Sequence, residues 1–330
     1  MAPAHGGNPL RQALWPLGLL YGAVAAVRNW AFDRRLRAVH RLPVPVVSVG
    51  NLTVGGTGKT PTVAWLCQLA HASGKRPGVL ARGYGRAPGA LLNDEGMMLQ
   101  RRLPWLLQEQ DPDRVAAGAR LCGKGADFVV LDDGFQHRRL HRDRDLVCVD
   151  VTAPFGNGLC LPAGDLREFR SGLGRADLVL LTRAGTMAPE LLEERRAAVA
   201  RLAERARGVF ACEHMPSTFL RSSDGAEVPL GMVAQQPCVL LSAIARPASF
   251  RASMQRLGAR IVAEFAHRDH HRFTPADVEA AAASARHAGA WLVVTEKDES
   301  KLTAMPVERH VLRIDLQFLG PAPTAADVLP

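Results

Sequence analysis

The chain has 330 residues, 47% hydrophobic and 22% charged, an ordinary globular composition with ample core and room for two domains of about 150 residues each. A formal charge of +9 favours an anionic partner such as a nucleotide, a nucleic acid or an anionic membrane surface, although solubility alone accounts for the same excess. The six cysteines are scattered without a C-x-x-C pair, which excludes a cysteine zinc cluster and reads as reduced, buried thiols.

Residues 1–9 read as disordered. Residues 12–27, QALWPLGLLYGAVAAV, carry no charge and are followed by Arg28, Arg34, Arg35, Arg37 and Arg41. The run falls short of the ~20 residues that cross a bilayer, and Pro16 and Gly18 interrupt it. A basic cluster after the apolar run, not before it, argues against a secretory signal. Two readings stay open. The segment is either a helix lying in a membrane interface, with its arginines on anionic head groups, or a fully buried N-terminal helix.

The segment 45–68 organises the rest of the chain. Residues 45–49 read as a buried strand, Gly55-Gly56-Thr57-Gly58 as a turn, Lys59-Thr60 as its end, and Pro61 as the opening of a helix. Strand, glycine turn, Lys-Thr and helix is the P-loop order. Glycines let backbone N–H groups approach phosphate oxygens, and the helix start adds partial positive charge. Lys59 is expected at the β- and γ-phosphates and Thr60 on Mg²⁺. Thr53 stands where the consensus has glycine, and Val54 where ParA/MinD-type ATPases have lysine. The plain alternative is a glycine turn with no nucleotide.

Residues 77–81 read as a second strand that ends in Arg82-Gly83-Tyr84-Gly85-Arg86, at the strand end where open α/β sheets place ligands. Asp94 reads, on spacing alone, as the N-cap of a helix over 96–107. Residues 128–134 are an apolar strand ending in Asp132-Asp133, a Walker B pattern for Mg²⁺. Adjacent residues on a strand point to opposite faces, so one carboxylate is free for another task. His137, Arg138, Arg139, His141 and Arg142 come next as a basic loop. Strands at 146–150 and 177–182, a turn into a helix at 162–168 and a helix over 190–207 continue the alternation. That rhythm predicts a parallel sheet with helices on both faces.

The rhythm changes at Gly208. Residues 209–222 and 228–233 around Asp224-Gly225 read as a two-stranded ribbon. Strands at 239–242, 259–265 and 291–295 and helices at 247–257 and 275–288 form a second α/β unit. The segment His267-Arg268-Asp269-His270-His271 suggests metal, but such spacing needs a helix to converge. Thr274-Pro275 places it in a loop, so it reads as a polar catalytic or hinge loop. The fold class is therefore α/β: a P-loop NTPase-like parallel-sheet domain plus a smaller α/β domain joined by a ribbon. The expected divisions are 1–40 (membrane-associating), 41–207 (P-loop domain), 208–233 (linker) and 234–330.

The motifs GNLTVGGTGKTP, RGYGR, NDE, LDDGFQHRRL, AGDLREF, SAIARP, F-x-x-x-D-H-H and TEKD occur in that order over nearly the whole chain. Together they resemble the tetraacyldisaccharide 4′-kinase family of lipid A biosynthesis. The resemblance implies transfer of the γ-phosphate of ATP to the 4′-hydroxyl of a tetraacyldisaccharide 1-phosphate, giving lipid IV-A. It also implies a peripheral protein on the cytoplasmic face of a Gram-negative inner membrane. It assigns Lys59 and Thr60 to the P-loop, Asp132 and Asp133 to the Walker B pair, and His137 to the histidine after it. Arg167 and Glu168 become nucleotide and metal surroundings. Asp94 and His270 become an acid–histidine pair at the reacting centre, which reverses the cap reading of Asp94. Because the expected division puts these two in different domains, catalysis is expected to need domain closure. Asp165 and Phe169 stand where prolines are expected around Leu-Arg-Glu, and Asn93 where glycine is usual. The rival readings are a ParA/MinD-like or metallochaperone switch NTPase, and a non-enzymatic membrane scaffold or nucleic-acid binder. Only 5% of residues are aromatic, without aromatic–basic interleaving, so no nucleic-acid partner is expected.

Overall fold

A computed structural model describes residues 9–87, 89–269, 271–302 and 307–330. The disorder expected for residues 1–9 falls, apart from Pro9, outside this set, as does His270. The chain opens with α1 (Pro9–Gln12) and α2 (Trp15–Asp33). Then come β1 (Val46–Gly50), α3 (Lys59–Ala72), β2 (Pro77–Ala81), α4 (Asp94–Arg102), β3 (Leu107–Gln110) and α5 (Arg114–Gly123). They are followed by β4 (Phe128–Asp132), β5 (Arg144–Asp150), β6 (Leu178–Thr182), α6 (Pro189–Ala200), β7 (Val209–Arg221) and β8 (Glu227–Val228). The rest is β9 (Pro237–Ser242), α7 (Pro247–Arg256), β10 (Arg260–Ala266), α8 (Pro275–His287), β11 (Trp291–Thr295), α9 (Glu296–Leu302), β12 (His310–Phe318) and α10 (Ala325–Val328).

Two compact units result. One holds the residues up to Arg82, Trp105–His214 and Leu316–Pro330; the other holds Gly83–Pro104 and Met215–Asp315. In the first unit the strands run β7-β6-β5-β1-β4-β2-β3, all parallel where register is defined. Strands covered on both faces need continuous apolar runs rather than alternation. The runs of β1, β2 and β6 are buried at every position. Phe135, Val147, Val149, Leu173 and Leu181 share one core cluster, and Val46, Leu80, Leu121, Val129 and Leu131 share another. In the second unit the order is β10-β9-β11-β12, again parallel, with the far half of β7 pairing antiparallel to β8.

Several expectations are corrected. Residues 83–104 group with the second unit, so 41–207 is not one compact piece, and Asp94 shares a unit with the segment that carries His270. The premise that they sit in different domains therefore fails. The helix expected over 96–107 is α4, which stops at Arg102; Leu107 opens β3, whose polar sequence LQEQ hid it. The turn at 162–168 leads into a 3-10 turn, Arg170–Arg175, and α6 ends at Ala200. The ribbon is present but shorter than expected, with Phe219 and Leu220 paired antiparallel to Val228 and Glu227. Val209–Ala211 form a sheet strand beside β6, β8 has only two residues, and Leu230–Val233 is a 3-10 turn.

Helix α2 excludes one of its two readings. Leu17, Leu20, Val24, Val27 and Trp30, spaced three and four apart, form an exposed apolar stripe, with Val27 64% exposed. Full burial is ruled out. The other side is tied down: Arg28 donates to the Gln136 carbonyl (3.0 Å), Asn29 to Glu168 Oε2 (2.7 Å), and Arg138 pairs with Asp33 (2.7 Å). Pro16 sits in the first turn, where a missing N–H costs nothing. Gly18 and Gly22 let the helix approach Cys160 and Phe169. Among the described residues no helix is long and apolar enough to cross a membrane.

Candidate active site

The phosphate-binding turn is built by backbone. Gly55 (φ +107°) and Gly58 (φ +85°) take left-handed conformations that side chains disfavour. Nothing lies within 4 Å of a Cβ placed on Gly55 or Gly56, so their backbone is open to an incoming group. Gly58 caps α3, which starts at Lys59, two residues before the expected Pro61; Pro61 still falls in the first turn. A Cβ on Gly58 would overlap the His214 ring. Thr57 is buried and serves the turn itself. Its hydroxyl accepts from Asn51 Nδ2 (3.0 Å) and its carbonyl from Thr182 Oγ1 (3.0 Å). Arg183, paired with Asp150, reaches the Gly56 carbonyl.

Lys59 lies at the centre of this arrangement. Its Nζ is 3.3 Å from Asn51 Oδ1 and 3.5 Å from Asp133 Oδ1. Arg167 Nη1 donates to both Asp133 oxygens, at 2.9 and 2.7 Å. Burial raises the Asp133 pKa, but Lys59, Arg167 and Arg114 outweigh it and hold the carboxyl below the usual range. Strand β4 ends at Asp132, and Asp133 turns into a left-handed conformation (φ +50°). Thr60 occupies the first turn of α3.

These parts in this order are matched by known proteins over the whole chain. The family model for tetraacyldisaccharide-1-P 4′-kinase matches residues 10–329. The chain belongs to the tetraacyldisaccharide-1-P 4′-kinase family. The tetraacyldisaccharide 4′-kinase of Anaeromyxobacter sp. (strain K) is 39% identical over 359 aligned positions, covering 96% of this chain and 93% of that protein. The one from Syntrophus aciditrophicus (strain SB) is 36% identical, covering 92% and 87%. Among solved structures, LpxK from Aquifex aeolicus in complex with ATP superposes with a TM-score of 0.74 at 28% identity, over 94% of this chain and 96% of that one.

Around the family's motifs the structure assigns further roles. Glu168, expected near the nucleotide, is turned inward and 2% exposed. Its carboxylate accepts from Asn29, from Gln136 (2.9 Å) and from Arg175 (2.9 Å), so it joins α2 to the loop after β4. His137 is held neutral: burial first, then Arg114 and neighbouring arginines, lower its pKa to about 4. Arg114 was not read from the sequence. It is 6% exposed, its Nε has no hydrogen-bond partner, and its charge interacts with Asp133, Asp132, Arg82 and Arg167. The available signal was a cation in the first turn of a helix, which the helix dipole opposes and an anion nearby would justify.

In the second unit Asn93, not Asp94, caps α4, its side chain accepting from Gly96 N at 3.0 Å. That removes the cap reading of Asp94, which instead lies 3.8 Å from Lys301 Nζ. Lys301, buried and also paired with the fully buried Asp298 (3.2 Å), is a second residue the sequence did not single out. Arg82 closes the first unit's stretch just after β2, while Tyr84 follows Gly83 at the start of the second unit and is 81% exposed, its carbonyl accepting from Asn93.

Proposed function

We infer that the chain transfers the γ-phosphoryl group of ATP to the 4′-hydroxyl of tetraacyldisaccharide 1-phosphate, yielding lipid IV-A in lipid A biosynthesis. The observation that carries this is the family match across residues 10–329, joined to an open glycine turn that ends on Lys59. A sugar hydroxyl is a poor nucleophile, so transfer depends on placement and charge neutralisation more than on covalent help. The open backbone of Gly55 and Gly56 and the start of α3 receive phosphate oxygens. Lys59 exchanges its Asn51 and Asp133 contacts for the β- and γ-phosphates. Arg167 keeps Asp133 in place while Lys59 moves.

Thr60, Asp132 and Asp133 offer hydroxyl and carboxylate oxygens with neither sulfur nor imidazole, a donor set that suits Mg²⁺. These three residues would hold the ion, which would supply neutralisation of the charge on the transferring phosphoryl group. Asp94 takes the proton of the 4′-hydroxyl, and His270 orients Asp94. The apolar stripe of α2 rests in the membrane interface, with the exposed Arg34, Arg35, Arg37 and Arg41 against anionic head groups at the cytoplasmic face of the inner membrane. Incubation of the purified protein with γ-labelled ATP and the disaccharide 1-phosphate tests the reading. A labelled, doubly phosphorylated lipid is expected; release of label only as free phosphate overturns it.

A further inference from the structure

The histidine loop does what its sequence argues against. His267 lies just beyond β10, where its backbone N–H donates to the Ser242 carbonyl of β9 (2.8 Å). Asp277 lies in the first turn of α8, fixed by a reciprocal cap with Thr274. These two anchored points bring the histidine side chains together. The His267 and His271 rings stack at 4.5 Å with planes 8° apart, and His271 Nε2 sits 3.0 Å from Asp277 Oδ2. One donor atom from each of His267, His271 and Asp277 lies within 4.8 Å of the others. Phe273 stands perpendicular to both rings, its centroid 5.5 and 5.7 Å from theirs.

We propose that His267, His271 and Asp277 form a binding site for a zinc-type transition-metal dication, separate from the magnesium chemistry of the P-loop turn. Ligands bound to one tetrahedral zinc lie about 3.3 Å apart, given metal–ligand distances near 2.0–2.1 Å. The His271–Asp277 pair already has that spacing. A ligand atom of His267 already lies within 4.8 Å of the pair, a gap that side-chain rotation would close. Two imidazoles and one carboxylate favour zinc, cobalt or nickel over magnesium, which prefers oxygen donors and keeps its waters. The fourth position is left to water. A bound ion would replace the His271–Asp277 hydrogen bond with a stronger clamp across residues 267–277. It would staple the loop that carries His270, a consequence that rests on the proposed role of His270; the metal site itself does not.

The test uses the full chain, stripped with chelator and titrated with Co²⁺, whose spectrum separates thiolate from imidazole and carboxylate ligation. One equivalent is expected to bind without a thiolate charge-transfer band, to be displaced by Zn²⁺ and to resist excess Mg²⁺. His267→Gln and His271→Gln are each expected to weaken binding at least tenfold. Zinc is expected to raise the Tm of the wild-type chain but not of His267→Gln, with circular dichroism confirming that both fold. No stoichiometric binding, a thiolate spectrum, or wild-type affinity in either variant overturns the site. None of these measurements needs ATP or lipid, so a failed kinase assay and a failed metal titration remain distinct results.

Discussion

The glycine turn of the first unit and the histidine loop of the second are built by opposite means. Over residues 51–60 the turn is made of backbone: left-handed glycines, a strand end and a helix start, each within a few residues of the next. The histidine loop is made of side chains: His267 just after β10, His271 on the connecting segment and Asp277 at the start of α8. A backbone device has a spacing that survives in the sequence. A side-chain device has only a composition. The largest expected effect tests the first half of this contrast. Lys59→Ala should lower kcat/KM by about 10³-fold, the scale of losing one preorganised charge on a transferring phosphoryl group. Its Tm should change little, since its contacts at 3.3 and 3.5 Å are loose ones. Steady-state assays and thermal melts measure both; a loss under tenfold would make the turn a structural feature only.

The same contrast explains what was legible. Parallel strands could be read because burial on both faces demands unbroken apolar runs, as in FVVLD of β4 and LVLLT of β6. The polar strand β3 broke that rule and was missed. Asp132, Asp133 and Lys59 were legible because they sit at element ends. Arg114 and Lys301 were not, since a buried cation looks like any surface arginine or lysine until the carboxylates opposite it are known. Glu168 was placed near the nucleotide by the resemblance alone, and only the fold reveals that Asn29, Gln136 and Arg175 take up its carboxylate. The resemblance moved Asp94 from cap to candidate base, and in the structure Asn93, one residue earlier, does the capping.

A second prediction probes the side-chain device. Asp94→Asn and His270→Gln should each reduce kcat by about 10²-fold, the scale of general-base assistance, with the KM for ATP unchanged. The double variant should be little worse than either single one if the two act as a unit. A change of kcat within twofold in both variants would remove this pair from the mechanism and leave placement by the turn as the main contribution. A third prediction concerns α2, where neither backbone nor pairing but an unpartnered stripe carries the argument. Leu20→Glu with Val24→Glu removes two exposed apolar side chains, each worth roughly 1.5–3 kcal/mol when fully buried. Cosedimentation with anionic vesicles should fall at least tenfold while ATP binding stays intact. Unchanged sedimentation would assign membrane contact to another surface.

The smallest effect lies where the two modes of construction meet. His214 is a side chain, yet it packs on Gly58, the backbone pivot of the phosphate turn. Burial, and after it Arg183, lower its pKa from 6.5 to about 4, against weaker opposing contributions from Asp150 and the Gly58 backbone. The folded chain therefore holds this ring neutral where the unfolded chain protonates it. Stability is complete above the unfolded value and declines as pH falls from about 6.5 toward 4, because the unfolded state then binds the extra proton. For one such group the loss between pH 7.5 and pH 5 is about 2 kcal/mol. His214→Gln should flatten that limb of the urea-midpoint profile by a comparable amount. His137, lowered in the same direction, would supply the slope that remains. ATP should steepen the wild-type limb if the turn grips phosphate more firmly with a neutral ring behind Gly58. A profile unchanged by His214→Gln would mean that the ring takes its proton without disturbing the fold, and that the turn is held by Asn51, Thr182 and Arg183 alone.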